Sequence, residues 1–160
     1  MINRKIVTGL SFVVALFVFA ACDSNEDPDE FVEGPLPREV AESDYTVTDS
    51  GLQYFDFVAG EGEEAVVGDT LFVDYTGWLT NGFIFDSSVL IAGRSPIRVI
   101  IGTTNVIEGW TEGLQGMREG GQRQLVIPPS LGYGSFGQGS VPPNAVMIFE
   151  VEVVSLRNGS

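Results

Sequence analysis

The stretch Asn105-Val-Ile-Glu-Gly-Trp-Thr-Glu-Gly-Leu-Gln-Gly-Met117 constrains this chain more than any other, because only here, beyond the N-terminal leader, do apolar residues recur at helical spacing. Val106, Trp110, Leu114 and Met117 stand at i, i+4, i+8 and i+11, one stripe of a short helix. Gly109 and Gly113 each lower helix propensity by about 1 kcal/mol relative to Ala. Such a helix has to be held by packing. Both flanks read as strand and turn, so the chain predicts a curved sheet wrapped around one short helix. The Trp110 end of that helix is then the floor of an apolar pocket.

The strands follow from periodicity and turn chemistry. Residues 52–58 form one, and Val67-Gly-Asp69 turns the chain into a second over 70–79. Asn81-Gly82 is a hairpin signal that returns the chain through Phe83-Ile-Phe85. A loop over 86–95 precedes a strand over 97–101, and after the helix comes a strand over 122–127, in which Arg123, Leu125 and Ile127 share one face. Residues 128–143 form a long loop saturated with Gly and Pro, a kind of loop that usually carries function. The last strand, 145–156, carries apolar residues on both faces and is expected to be central.

Ahead of this domain, Arg4 and Lys5 followed by an apolar run over 6–19 read as a signal peptide covering residues 1–21, too short for a comfortable membrane span. The run closes with Phe19-Ala-Ala-Cys22, which resembles the lipobox of bacterial lipoproteins and makes Cys22 the expected lipid attachment. Residues 22–44 then read as an acidic flexible tether, too poor in apolar groups to offset the entropy of ordering. The folded domain is expected over 45–160, held at the cell envelope by a lipid anchor, on the periplasmic side or the outer surface of a bacterial membrane. A monomer is expected.

Composition removes several kinds of chemistry. Eight Lys and Arg against 22 Asp and Glu give a net charge of -14. Nucleic acid is excluded as a partner, since binding it requires basic residues to replace phosphate counterions. Histidine is absent and Cys22 is the single cysteine. That excludes Ser-His and Cys-His nucleophile pairs, metal sites built on imidazole or thiolate, and an internal disulfide. No metal and no cofactor is called for, and any catalysis must come from carboxylates, hydroxyls, backbone amides or an apolar cavity.

Nine short motifs now stand in order: Tyr75-Thr-Gly-Trp-Leu, Asn81-Gly, Phe85-Asp-Ser-Ser88, Val106-Ile-Glu-Gly-Trp110, Gly113-Leu, Met117-Arg-Glu-Gly, Ile127-Pro-Pro129, Leu131-Gly-Tyr-Gly134 and Val141-Pro-Pro-Asn-Ala145. In this order and spacing they resemble the FKBP-type peptidyl-prolyl cis-trans isomerases over about residues 47–156. The resemblance implies an α+β fold, a strongly bent antiparallel sheet of five to six strands around one short helix. It implies an enzyme that speeds rotation of X-Pro bonds in exported proteins. A second reading keeps the pocket as a proline-segment-binding chaperone module with little turnover.

The same resemblance assigns residues. Tyr75, Phe85, Asp86, Trp110 and Tyr133 take catalytic positions, and Ile97, Val106, Ile107, Val141 and Phe149 take substrate-binding ones, with Val141 at the rim. Trp110 is the floor for the proline ring, the Ile107 N–H and Tyr133 hydroxyl are donors to a substrate carbonyl, and Asp86 orients Tyr75 and an Arg, for which Arg94 is the candidate. Ile97 replaces an aromatic wall residue, Asn105 a frequent Glu and Gln138 a frequent His. Proline-containing polypeptides are the implied substrates and macrolides the implied inhibitors.

Overall fold

A computed structural model describes residues 34–103 and 106–159. The signal peptide, Cys22 and Asn105 lie outside the described residues. The elements run β1 (Thr46–Val47), β2 (Gln53–Val58), β3 (Thr70–Leu79), β4 (Ile84–Ser87), β5 (Ile97–Ile100), α1 (Glu108–Gly113), β6 (Gln122–Ile127) and β7 (Met147–Arg157). All strands pair antiparallel in the order β1-β2-β6-β7-β3-β4, and β5 also pairs with β3. The sheet thus has seven strands where five to six were expected. The least legible is two-residue β1, placed by the turn in which Thr48 N–H donates to Leu52 O at 2.9 Å.

The long central pair β3 and β7 forms the sheet's spine, from Thr70 opposite Arg157 to Leu79 opposite Met147. Alternation puts Leu71, Val73 and Tyr75 of β3 and Met147, Phe149, Val151 and Val153 of β7 on the buried side, in one core with Trp110 and Leu114. The pairing with β3 is bulged twice, by Val154 of β7 opposite Phe72/Val73 and by Phe85 of β4 opposite Gly77/Trp78, which lets the sheet curl around α1. Two short strands share its other edge, β5 along Thr70 to Val73 and β4 along Thr76 to Trp78. Between them Ser88 completes the ladder: its N–H donates to Tyr75 O at 2.9 Å and its Oγ accepts from Tyr75 N–H at 2.9 Å. Asp86 and Ser87, read from sequence as loop, therefore belong to β4.

The helix is shorter than its apolar stripe. It spans six residues, Glu108–Gly113, with Val106 before it and Met117 beyond it. Gly116, at φ 75°, turns the chain away, and its N–H donates to Ala65 O at 2.9 Å. Met117 is still buried in the core, so the stripe marks a buried face rather than a helix length.

The helical glycines have a packing reason. A Cβ at Gly109 would lie 2.6 Å from Ile127 Cγ2, and one at Gly113 2.6 Å from Leu125 Cδ2. At Gly109 the obstacle is a β-branched side chain that is fully buried and stiff at χ1. Gly109→Ala is accordingly expected to lower stability by about 1–2 kcal/mol, an overpacking cost that outweighs the helix-propensity gain. Denaturant unfolding checks this; a more stable variant would mean that α1 is free to move off β6.

Residues 34–44, assigned by composition to the tether, lie across the outer, convex face of the sheet. The Trp78 indole N–H donates to Pro35 O at 2.8 Å, and Gln124 Nε2 donates to Arg38 O at 2.9 Å. Arg38 N–H donates to Glu150 Oε1 at 2.6 Å, its Nε pairs with Glu150 Oε2 at 2.9 Å, and its guanidinium sits 3.5 Å from the centre of the Phe57 ring. Trp78 and Gln124 are buried polar groups that require partners. The strap supplies them as backbone carbonyls, which composition does not reveal.

Candidate active site

The inner face of the sheet and the start of α1 enclose a cavity of about 220 Å³, lined by Tyr75, Phe85, Asp86, Ile97, Val106, Ile107, Trp110, Tyr133 and Phe149. Pockets that bury drug-sized ligands begin at about 300 Å³. This one suits a side chain and the peptide bond next to it.

Each wall has a local cause. Tyr75 is an inward position of β3, and Phe149 an inward position of β7 in register with Gly77. Gly77 has to be glycine, because a Cβ there would lie 2.7 Å from both Phe149 Cε1 and Phe85 Cζ. With that space open, Phe85 meets Phe149 edge-on with ring centres 5.3 Å apart, Phe149 meets Trp110 at 5.4 Å, and Trp110 meets Tyr75 at 5.2 Å. Edge-to-face pairs add about 0.5–1.5 kcal/mol each beyond burial, so the four rings form a stiff apolar bowl. Trp110 is buried on α1, and its indole N–H is the buried side-chain group that finds no acceptor among the described residues.

Polar groups stand on one side of the bowl. The Tyr75 hydroxyl donates to Asp86 Oδ2 at 2.6 Å, while Arg94 Nη1 and Ser87 N–H donate to Asp86 Oδ1. The expected Tyr75, Asp86 and Arg94 chain is therefore present. Burial, reinforced by the bond to Asp86, pushes the Tyr75 phenol well above its ordinary range, and burial followed by the Asp86 charge raises Tyr133 as well. Both remain protonated and able to donate at neutral pH. Ile107 caps α1 at the cavity wall, and its backbone N–H makes no hydrogen bond among the described residues.

Tyr133 comes from the Gly/Pro loop, which its own backbone holds rigid: Gly137 N–H donates to Tyr133 O at 3.2 Å, Gln138 and Val141 exchange two bonds at 2.9 Å, and Asn144 N–H donates to Gly134 O at 2.8 Å. Those bonds decide the position of Val141. Expected at the rim, it is instead buried in the core and absent from the cavity lining. Phe136 of the same loop is 93% exposed.

Sequence reasoning assigned no role to Arg123. Its side chain is buried, pairs with both Asp56 oxygens at 2.6 and 2.8 Å, and donates to Gly113 O at 2.8 Å and Gln115 O at 3.1 Å. It thereby holds the end of the helix that carries Trp110. A cation on the apolar face of β6 was the signal, since a buried guanidinium must find several acceptors.

Comparison with known proteins agrees with this geometry. The family profile described as FKBP-type peptidyl-prolyl cis-trans isomerase matches residues 61–154. The chain is 50% identical over 107 residues to an FK506-binding protein of Neisseria meningitidis serogroup B, covering 66% of this chain and 96% of that protein. It is 47% identical over 115 residues to a probable FKBP-type peptidyl-prolyl cis-trans isomerase of Haemophilus influenzae, covering 71% of this chain and 46% of the relative. Among solved structures, FkpA from Escherichia coli superposes with a TM-score of 0.67 at 38% identity, covering 74% of this chain and 54% of FkpA. AtFKBP13 gives 0.64 at 39% identity, covering 69% of this chain and 97% of the other. A profile across most of the folded domain and half-identity to nearly the whole of a relative leave one assignment: this chain belongs to the FKBP-type peptidyl-prolyl cis-trans isomerase family.

Proposed function

We propose that the 220 Å³ cavity is where this isomerase rotates X-Pro bonds, with Tyr75, Phe85, Asp86, Trp110 and Tyr133 as its catalytic residues and Ile97, Val106, Ile107 and Phe149 as substrate contacts. The observation that carries the reading is the bowl itself: four mutually packed rings with phenol and amide donors on its wall.

X-Pro rotation is opposed by amide resonance, a barrier of about 18–20 kcal/mol, and no bond is made or broken. At the top of the barrier the twisted amide has lost resonance and is less polar than the planar one. A dry apolar bowl therefore favours it over the solvated ground state, which is differential binding of the transition state. The proline ring rests on Trp110. The Ile107 N–H and Tyr133 hydroxyl hold the carbonyls beside it, and Asp86, fixed by Arg94 and Ser87, holds Tyr75 in place. The substrates are proline-containing segments of exported proteins, and macrolides compete for the same bowl. The chain acts as a monomer at the cell envelope, anchored to a bacterial membrane through lipid on Cys22 after removal of residues 1–21; mass spectrometry of the mature protein reads that modification directly.

The test is the cis-to-trans rate of a short X-Pro peptide with the full chain and with Tyr75→Phe. The variant should lose about 1 kcal/mol of transition-state stabilisation, some fivefold in kcat/KM, the net scale of one hydrogen bond. Because both phenols are raised, activity should stay level up to about pH 10, where a free phenol ionises. The same sign governs stability: the two phenols contribute fully below that pH, and the contribution is lost as pH rises toward their folded values. A folded parent that gave no acceleration with any residue before Pro would end this reading.

A further inference from the structure

The convex face of the sheet, on the far side from the bowl, carries a second hollow of about 320 Å³ between the strap and the start of the 88–96 loop. Its apolar rim is Leu36, Val89 and Leu90, which are 72%, 60% and 42% exposed. Its wall holds Asp74 of β3 and Glu152 of β7, which stand directly opposite each other in the strand register. Like charges facing each other across a strand pair destabilise it, and among the described residues neither carboxylate forms an ion pair. Asp74 Oδ1 accepts from the Ser88 hydroxyl at 2.7 Å and Glu152 Oε2 from Gln122 Nε2 at 3.0 Å, both neutral donors. Arg38, the cation beside them in the lining, is already paired with Glu150. No group of carboxylates suited to a metal ion is present among the described residues.

We propose that this groove is a second binding site, which takes a polypeptide segment carrying a Lys or Arg beside an aliphatic residue. The cation would lie between Asp74 and Glu152, and the aliphatic side chain would rest on Leu36, Val89 and Leu90. Charge decides among the occupants. The chain's own Phe31-Val32 is apolar but is flanked by Glu30 and Glu33, and a second copy brings a net charge of -14 to an already acidic face. Both repel where a basic segment is attracted. Tyr75 borders the groove as well as the bowl, but its ring packs on Trp110 and its hydroxyl bonds to Asp86 on the bowl side, while the preceding Asp74 faces the groove, so a segment in the groove leaves the bowl open.

The probe is a proline-free peptide, acetyl-Leu-Lys-Leu-Arg-Leu-amide, titrated into the full chain while backbone amide and indole resonances are followed; its counterpart with Glu in place of Lys and Arg is the control. The basic peptide should shift Asp74, Val89, Leu90 and the Trp78 indole and leave Trp110 and Tyr133 unmoved, and the acidic one should shift nothing. Asp74→Asn with Glu152→Gln should weaken binding about tenfold, the scale of two partly exposed ion pairs. The double variant should melt no lower than the parent, since it removes a like-charge pair, and should keep the parent's rate on a short X-Pro peptide. The probe lacks proline, so the groove and the isomerase pocket stand or fall separately. Equal binding by the acidic peptide, binding unchanged in the double variant, or shifts confined to the bowl would each overturn the proposal. Binding that appears only after Phe31→Ser and Val32→Ser would overturn it in favour of the chain's own segment, and dimerisation abolished by the double variant would overturn it in favour of a second copy.

Discussion

Trp110→Leu should reduce kcat/KM on a short X-Pro peptide about 30-fold while the protein stays folded. The indole is the floor of the bowl and touches both Tyr75 and Phe149 edge-on. Leucine gives up roughly 80 Å² of apolar contact, about 2 kcal/mol at 25 cal/mol per Å², and each 1.36 kcal/mol is tenfold in rate. Since kcat/KM compares free enzyme and substrate with the transition state, it captures floor contacts whether or not they are already made in the ground state. The variant also loses edge-to-face contacts of about 0.5–1.5 kcal/mol each, so its activity is to be measured well below its melting temperature, with near-ultraviolet circular dichroism as the check on packing. A folded variant within threefold of the parent would move the proline ring off Trp110.

Arg123→Met should be the most damaging substitution for stability, at about 3 kcal/mol, or roughly 10 °C in melting temperature. Methionine preserves much of the volume but leaves Gly113 O and Gln115 O without their donor in the interior. It also removes the bidentate partner of Asp56 and the cation over the Tyr54 ring. Asp56→Asn makes the comparison decisive. The Asp56 side chain is 41% exposed and water replaces what it loses, so that change should cost about 1 kcal/mol or less. If the two variants melted together, the ion pair rather than the helix carbonyls would be holding the end of α1. Catalysis by Arg123→Met should fall too, because the carbonyls it releases end the helix that positions Trp110.

Much of the bowl was readable from the chain because its residues sit in short motifs with fixed local geometry. Tyr75 lies in a run of strand formers, Trp110 and Ile107 at a helix start, and Tyr133 in a glycine-punctuated loop. Nine of the ten site residues named from sequence line one cavity. Val141 is the exception, because bonds inside its loop turn it into the core. The two-residue β1 and the true length of α1 were not readable either. The first depends on pairing with β2, and the second on a left-handed Gly116 and on how closely α1 approaches β6.

The sequence alone determined the strand faces, the hairpin at Asn81-Gly82, the single helical stripe and the exclusion of imidazole and thiolate chemistry, since these depend on neighbours a few residues apart or on composition. The tertiary structure alone decided where the polar groups end. Arg38 meets Glu150 across 112 residues, Arg123 meets Asp56 across 67, and Asp74 stands opposite Glu152 in the strand register. Periodicity places a residue on a face, but the partner of a charged or hydrogen-bonding group is set by which strands lie side by side. That pairing is chosen by burial of the whole core rather than by any local stretch of chain.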